Sequence, residues 1–124
     1  MPRQCGVPLE DYEFITITTM GQYFLLANED KEEFVCPWEV GGLAKFYEWL
    51  WNDQARLLVW LLRRGSETGG GDVEDPAVYQ TLGRWAGDRV SLVGDYDESG
   101  LYQKARERYR DISALLYQEY NAGV

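Results

Sequence analysis

Residues 22–36 read QYFLLANEDKEEFVC, and the fold class turns on them. An apolar run from Gln22 to Ala27 gives way to the polar Asn28-Glu29-Asp30-Lys31 and then to Glu32–Cys36, the pattern of strand, turn, strand. Asn and Asp tolerate the dihedrals of a tight connection, so the spacing predicts a β-hairpin. Pro37 closes the second strand because it has no N–H for a ladder.

Downstream the hydrophobic period changes. Leu43, Phe46, Tyr47 and Leu50, then Leu57, Leu58, Leu61 and Leu62, recur at helical spacing, which predicts helix over about Leu43 to Arg64. The stripe slips at Trp51-Asn52-Asp53, and Asn or Asp is a favoured N-cap, so one long helix and two helices meeting at Asn52 fit equally well. Gly65 ends the element. Trp49, Trp51 and Trp60 are expected in the core; an exposed aromatic contact patch is the alternative reading.

Residues 65–75, GSETGGGDVED, form an acidic glycine loop in which no helix or central strand persists. Beyond it, Tyr79 to Trp85 and Arg89 to Tyr96 suit a second hairpin turning at Ala86-Gly87-Asp88, although Tyr79 to Leu82 also reads as a helical turn after Pro76. Leu101, Tyr102, Ala105 and Tyr109 mark a further helical stripe, and Asp111 or Ser113 can cap a last helix carrying Leu115, Leu116 and Tyr120. Together these elements predict an α+β fold: a small antiparallel sheet of two hairpins with helices packed on one face. Residues 20–124 are read as one domain, preceded by an N-terminal extension over 1–19 whose Tyr12–Thr19 segment allows a strand.

Composition narrows the chemistry. The 124 residues carry 21 acids against 12 bases, a formal charge of −9, which disfavours direct nucleic-acid binding. Lys104, Arg106, Arg108 and Arg110 are the one basic run, expected on a solvated helix face. With no His, the ordinary Ser-His and Cys-His nucleophiles and any imidazole metal site are excluded. Cys5 and Cys36 are too few for structural zinc; the expected state is reduced, in a soluble cytoplasmic protein without a signal core or membrane span.

The candidate site residues lie around GRWAGDRVSLVGDYD, residues 83–97. Asp88 and Asp95 bracket an apolar strand and, some seven residues apart, sit roughly 20 Å from one another when extended. Asp95 and Asp97, joined by Asp72 of the glycine loop, are the candidate ligands of a hard cation, Mg²⁺ or Ca²⁺, because such ions take carboxylate oxygens. A calcium loop opening at Asp95 lacks its twelfth-position Glu, where Arg106 stands, and GGGD lacks the Gly-Lys-Ser/Thr of a phosphate loop. Arg84 or Arg89 is expected to pair with Asp88 or Asp95 and hold the turn.

Met20-Gly21-Gln22-Tyr23, Gly69-Gly70-Gly71-Asp72, Gly83-Arg84-Trp85-Ala86-Gly87-Asp88 and Gly94-Asp95-Tyr96 resemble a family of small uncharacterised proteins that begin near Met-Gly-Gln-Tyr. The resemblance covers Met20 to about Ile112. It implies that residues 1–19 lie outside the shared domain, and it implies no activity and no catalytic residue. The sequence therefore points to a small acidic, non-enzymatic interaction or ligand-binding domain using Asp72, Arg84, Trp85, Asp88 and Asp95, with another protein or a small ligand as partner. Two alternatives are a divalent-cation enzyme acting on phosphate esters and an acidic inhibitor that mimics nucleic acid.

Overall fold

The computed structural model describes residues 3–4, 7–8, 22–65 and 73–124, with backbone only for the first four. Cys5, the Tyr12–Thr19 segment, the glycine run and Asp72 lie outside the described residues. A two-residue pair, β1 (Arg3–Gln4) and β2 (Val7–Pro8), stands apart from the main sheet.

The hairpin forms as expected. β3 (Phe24–Asn28) pairs antiparallel with β4 (Glu33–Val35), with Leu26 opposite Val35 and Asn28 opposite Glu33. Asn28 Oδ1 accepts the Lys31 N–H at 2.8 Å, the local bond that suits Asn to a turn. A 3-10 turn at Pro37–Val40 follows.

Two expectations are corrected. Tyr79–Trp85 forms no strand, so the hairpin expected over residues 79–96 does not form. β5 (Val90–Gly94) pairs instead with β3, Leu26 facing Leu92, and β6 (Arg110–Asp111) runs parallel to β4. The sheet is therefore mixed, in the order β5-β3-β4-β6. Residues 81–88 turn because they cap a helix: Gly83 N–H and Trp85 N–H, both at 2.9 Å, take the carbonyls of Trp60 and Leu61, which lack partners within their own last turn. Gly83 has φ +70, and a Cβ there would lie 2.4 Å from the Arg63 carbonyl oxygen, so glycine is required twice over.

The helices also cover both faces rather than one. α1 (Phe46–Trp51) and α2 (Ala55–Leu62) are separate, broken at residues 52–54 where the buried Gln54 side chain clamps Leu43 through both its amide atoms (2.6 and 2.8 Å). Trp49, Leu57, Trp60 and Leu61 pack with Leu26 and Val35 on one face, joined by Leu116 of α4 (Ser113–Gly123). On the other face, Leu25, Ala27 and Phe34 meet Tyr102 and Ala105 of α3 (Leu101–Arg108). The unbroken apolar run of β3 follows from this, since a central strand covered on both sides cannot alternate in polarity. No helix among the described residues is long and apolar enough to cross a membrane.

Candidate functional site

The chemistry-bearing side chains of residues 83–97 are used by the fold. Trp85 is fully buried, and its indole N–H donates to Glu33 Oε1 at 2.8 Å. Arg84 grips the same carboxylate through Nε (2.9 and 3.0 Å) and Nη2 (2.6 Å). Burial pushes the Glu33 pKa up, but the hydrogen bonds from Arg84 and Trp85 and the charges of Arg84 and Arg110 outweigh it, leaving the pKa below the usual glutamate value. Glu33 was not among the sequence candidates, yet it shares a strand face with Val35, and that parity already turns it inward.

The expected arginine pairings are corrected as well. Arg84 binds Glu33, and Arg89 binds Asp30 through its backbone N–H (2.7 Å) and Nε (3.0 Å). Asp88 accepts from Lys31 Nζ at 2.5 Å and from Asn28 Nδ2 at 2.9 Å; these two bonds hold its carboxyl below the usual aspartate range. Glu33 and Asn28, inward-facing neighbours across the hairpin, thus tether residues 84–88 to the sheet.

Asp95 lies at the opposite end of β5, beside the start of β3. Its Oδ1 accepts the Tyr23 N–H at 2.9 Å, and its own N–H donates to Tyr23 O at 2.8 Å. Asp97, in the turn after β5, accepts the Ser99 N–H at 3.0 Å and the Ser99 hydroxyl. Asp95 and Asp97 are therefore neighbours, whereas Asp88 is separated from both by the length of the strand. Among the described residues no three carboxylate or thiol side chains group as a metal site.

An apolar strip with three aromatic rings faces outward on and just before α1. Leu43, Phe46, Tyr47, Leu50 and Trp51 are 45% to 79% exposed, Trp51 the most. The Trp51 and Tyr47 rings stack at 5.3 Å, Tyr47 meets Phe46 at 6.0 Å, and Phe46 meets Phe24 at 5.8 Å. Of the three tryptophans expected in the core, Trp49 and Trp60 are buried and Trp51 is not. A cleft of about 540 Å³ beside Trp51 runs between the α1–α2 turn and Tyr117 of α4. A second groove, of about 580 Å³, lies along β5 between Glu29 and Asp97 and reaches Phe24. No family model, no curated protein and no solved structure matches the chain.

Proposed function

We propose that the chain is a non-enzymatic interaction domain that docks a second polypeptide on the outward face of α1. The exposed Trp51–Tyr47 stack carries this reading. A soluble domain gains nothing from leaving a tryptophan 79% exposed on a helix whose opposite side buries Trp49. Trp and Tyr are the residues that dominate the energy of protein contacts, because they desolvate a large rigid surface at little entropic cost. Taken together, the exposed fractions of Leu43, Phe46, Tyr47, Leu50 and Trp51 correspond to a patch on the order of 500 Å², taking roughly 150–250 Å² for each large side chain. The side chains of Arg84, Trp85, Asp88 and Asp95, by contrast, are already engaged within the fold.

The charge of −9 selects a partner with a basic rim, whose association weakens as salt rises. The test compares native protein with Trp51→Ala and Tyr47→Ala as baits in its host, followed by titration of the captured protein against each bait. Either change should weaken that association by about tenfold or more while leaving thermal stability unchanged. Equal capture by all three baits would end the proposal.

A further inference from the structure

The aromatic patch is smaller than the roughly 800 Å² that each partner of a standard interface buries, so a specific contact has to extend beyond α1. Phe24 shows where. It touches Phe46 of the patch and also lines the groove along β5.

Among the described residues β5 is an edge strand, and the phase of its ladder follows from two flanking bonds. Asp95 N–H donates to Tyr23 O and Glu29 N–H to Arg89 O, at 2.8 and 3.0 Å. Both pairs lie in the β3–β5 register, so the alternate pairs between them, Leu25 with Val93 and Ala27 with Ser91, exchange the inward hydrogen bonds. The N–H groups of Val90, Leu92 and Gly94 and the carbonyls of Val90 and Leu92 then point away from the sheet, and no described residue bonds them.

Edge strands are ordinarily blunted by proline, lysine, a bulge or brevity. The opposite edge obeys this rule, since β6 is two charged residues long. β5 does not: VSLVG has five residues, no charge, no proline and an unbroken register.

Building on the proposed polypeptide partner, we infer that β5 receives an extended segment of that partner as an added strand. Backbone hydrogen bonds to Val90, Leu92 and Gly94 would supply affinity, and alternate side chains would supply selectivity. On one face those side chains meet Leu92 and Phe24 and continue toward Phe46. The two charged residues lining the groove, Glu29 and Asp97, are both acids, so the segment carries Lys or Arg toward its ends. The charge of −9 on each chain opposes a second copy in this role.

The probe is the capped peptide Lys-Val-Thr-Val-Thr-Val-Lys, with one twin N-methylated at its valines and another at its threonines. Titrated into the 124-residue chain, the parent peptide should slow hydrogen exchange at Val90 and Leu92 by about tenfold, with Ser91 and Val93, already bonded to β3, unchanged. One twin should lose this effect and the other keep it, because only alternate amides of a strand face its neighbour. Leu92→Pro, which deletes an outward N–H without touching the ladder bonds to β3, should abolish binding, and Leu92→Ala, which trims the side chain but keeps that N–H, should bind better than the proline variant; if the proline variant does not fold, the twins decide. Equal activity of both twins, or no slowing at Val90 and Leu92, overturns the inference while leaving the α1 surface standing. Slowing that grows with protein concentration and needs no peptide also overturns it, because the added strand would then be a second copy. Loss of the host partner on Trp51→Ala is an independent result, so failure of the α1 reading is recognised separately.

Discussion

Glu33→Gln tests the centre of the fold with a near-isosteric change. The native carboxylate accepts bonds from three donors, Arg84 Nε, Arg84 Nη2 and Trp85 Nε1, at 2.6 to 3.0 Å. Gln keeps one acceptor oxygen and turns an NH₂ toward the guanidinium, so Arg84 loses its counter-charge and faces a donor. Breaking a buried pair by removing one partner costs about 3–5 kcal/mol. The Glu33 side chain is 4% exposed but that of Arg84 is 31% exposed, so water recovers part of the loss and about 2–3 kcal/mol remains. At roughly 3–5 °C per kcal/mol for a domain of this size, the melting temperature should fall by about 10 °C. Urea unfolding followed by circular dichroism measures the same loss as a lower midpoint with an unchanged slope. Adding Arg84→Met should cost less than the sum of the single changes by about 1 kcal/mol or more, because the stranded charge is removed.

The pH dependence carries a definite sign. The folded pKa of Glu33 lies below its ordinary value of 4.5, so its stabilisation is complete above that pH and disappears as pH falls through the folded value. Glu119 behaves alike: burial raises its pKa, but the Thr81 hydroxyl (2.6 Å) and the backbone N–H groups of Gln80 and Thr81 lower it further. The acid limb of the stability curve should therefore begin near pH 4.5 and become shallower in Glu33→Gln. A variant within about 0.5 kcal/mol of the parent, with the same acid limb, would refute Glu33 as the anchor of residues 84–88.

Gly83→Ala should cost about 2 kcal/mol or more in urea unfolding, since alanine meets both the positive φ and the Arg63 carbonyl; a cost near zero would contradict the described turn. Millimolar Mg²⁺ or Ca²⁺ should leave the melting temperature unchanged, because the carboxylates of Asp95 and Asp97 are engaged by backbone donors. A saturable rise abolished by Asp72→Asn would instead show that Asp72, Asp95 and Asp97 converge on a cation.

The parts of the fold readable in the sequence are those set by near neighbours. The hairpin at 22–36 announces itself through an apolar run, a polar turn and a proline stop, and the helical stripes after Leu43 and Leu101 follow their period. The partner of β5 is set by distant packing: Val90–Gly94 reads as a strand, but its place beside β3 depends on residues 81–88 being spent on the end of α2. Glu33 lay midway. Its parity with Val35 makes it inward, which obliges a partner, but nothing local names Arg84 and Trp85 some fifty residues away. The tryptophans show the same limit, because Trp49 and Trp51 are two residues apart on a helix, about 200° around it, and cannot both face the core. Periodicity thus demands that one be exposed, and only the sheet beneath determines which.

The surface consequences follow from that same packing. Because α2 and α4 cover one face of the sheet and α3 the other, its remaining opportunities for contact are its edges. One edge is a two-residue strand of opposite charges; the other is a neutral strand with outward amides. Phe24 joins that neutral edge to the exposed rings of α1, so unpaired backbone and unburied aromatic area meet at one place among the described residues. A partner that used only the rings would leave the edge amides hydrated, and one that used only the edge would leave Trp51 in water. Joining both in one contact is what would bring the roughly 500 Å² of the exposed strip from Leu43 to Trp51 toward the area that specific association requires.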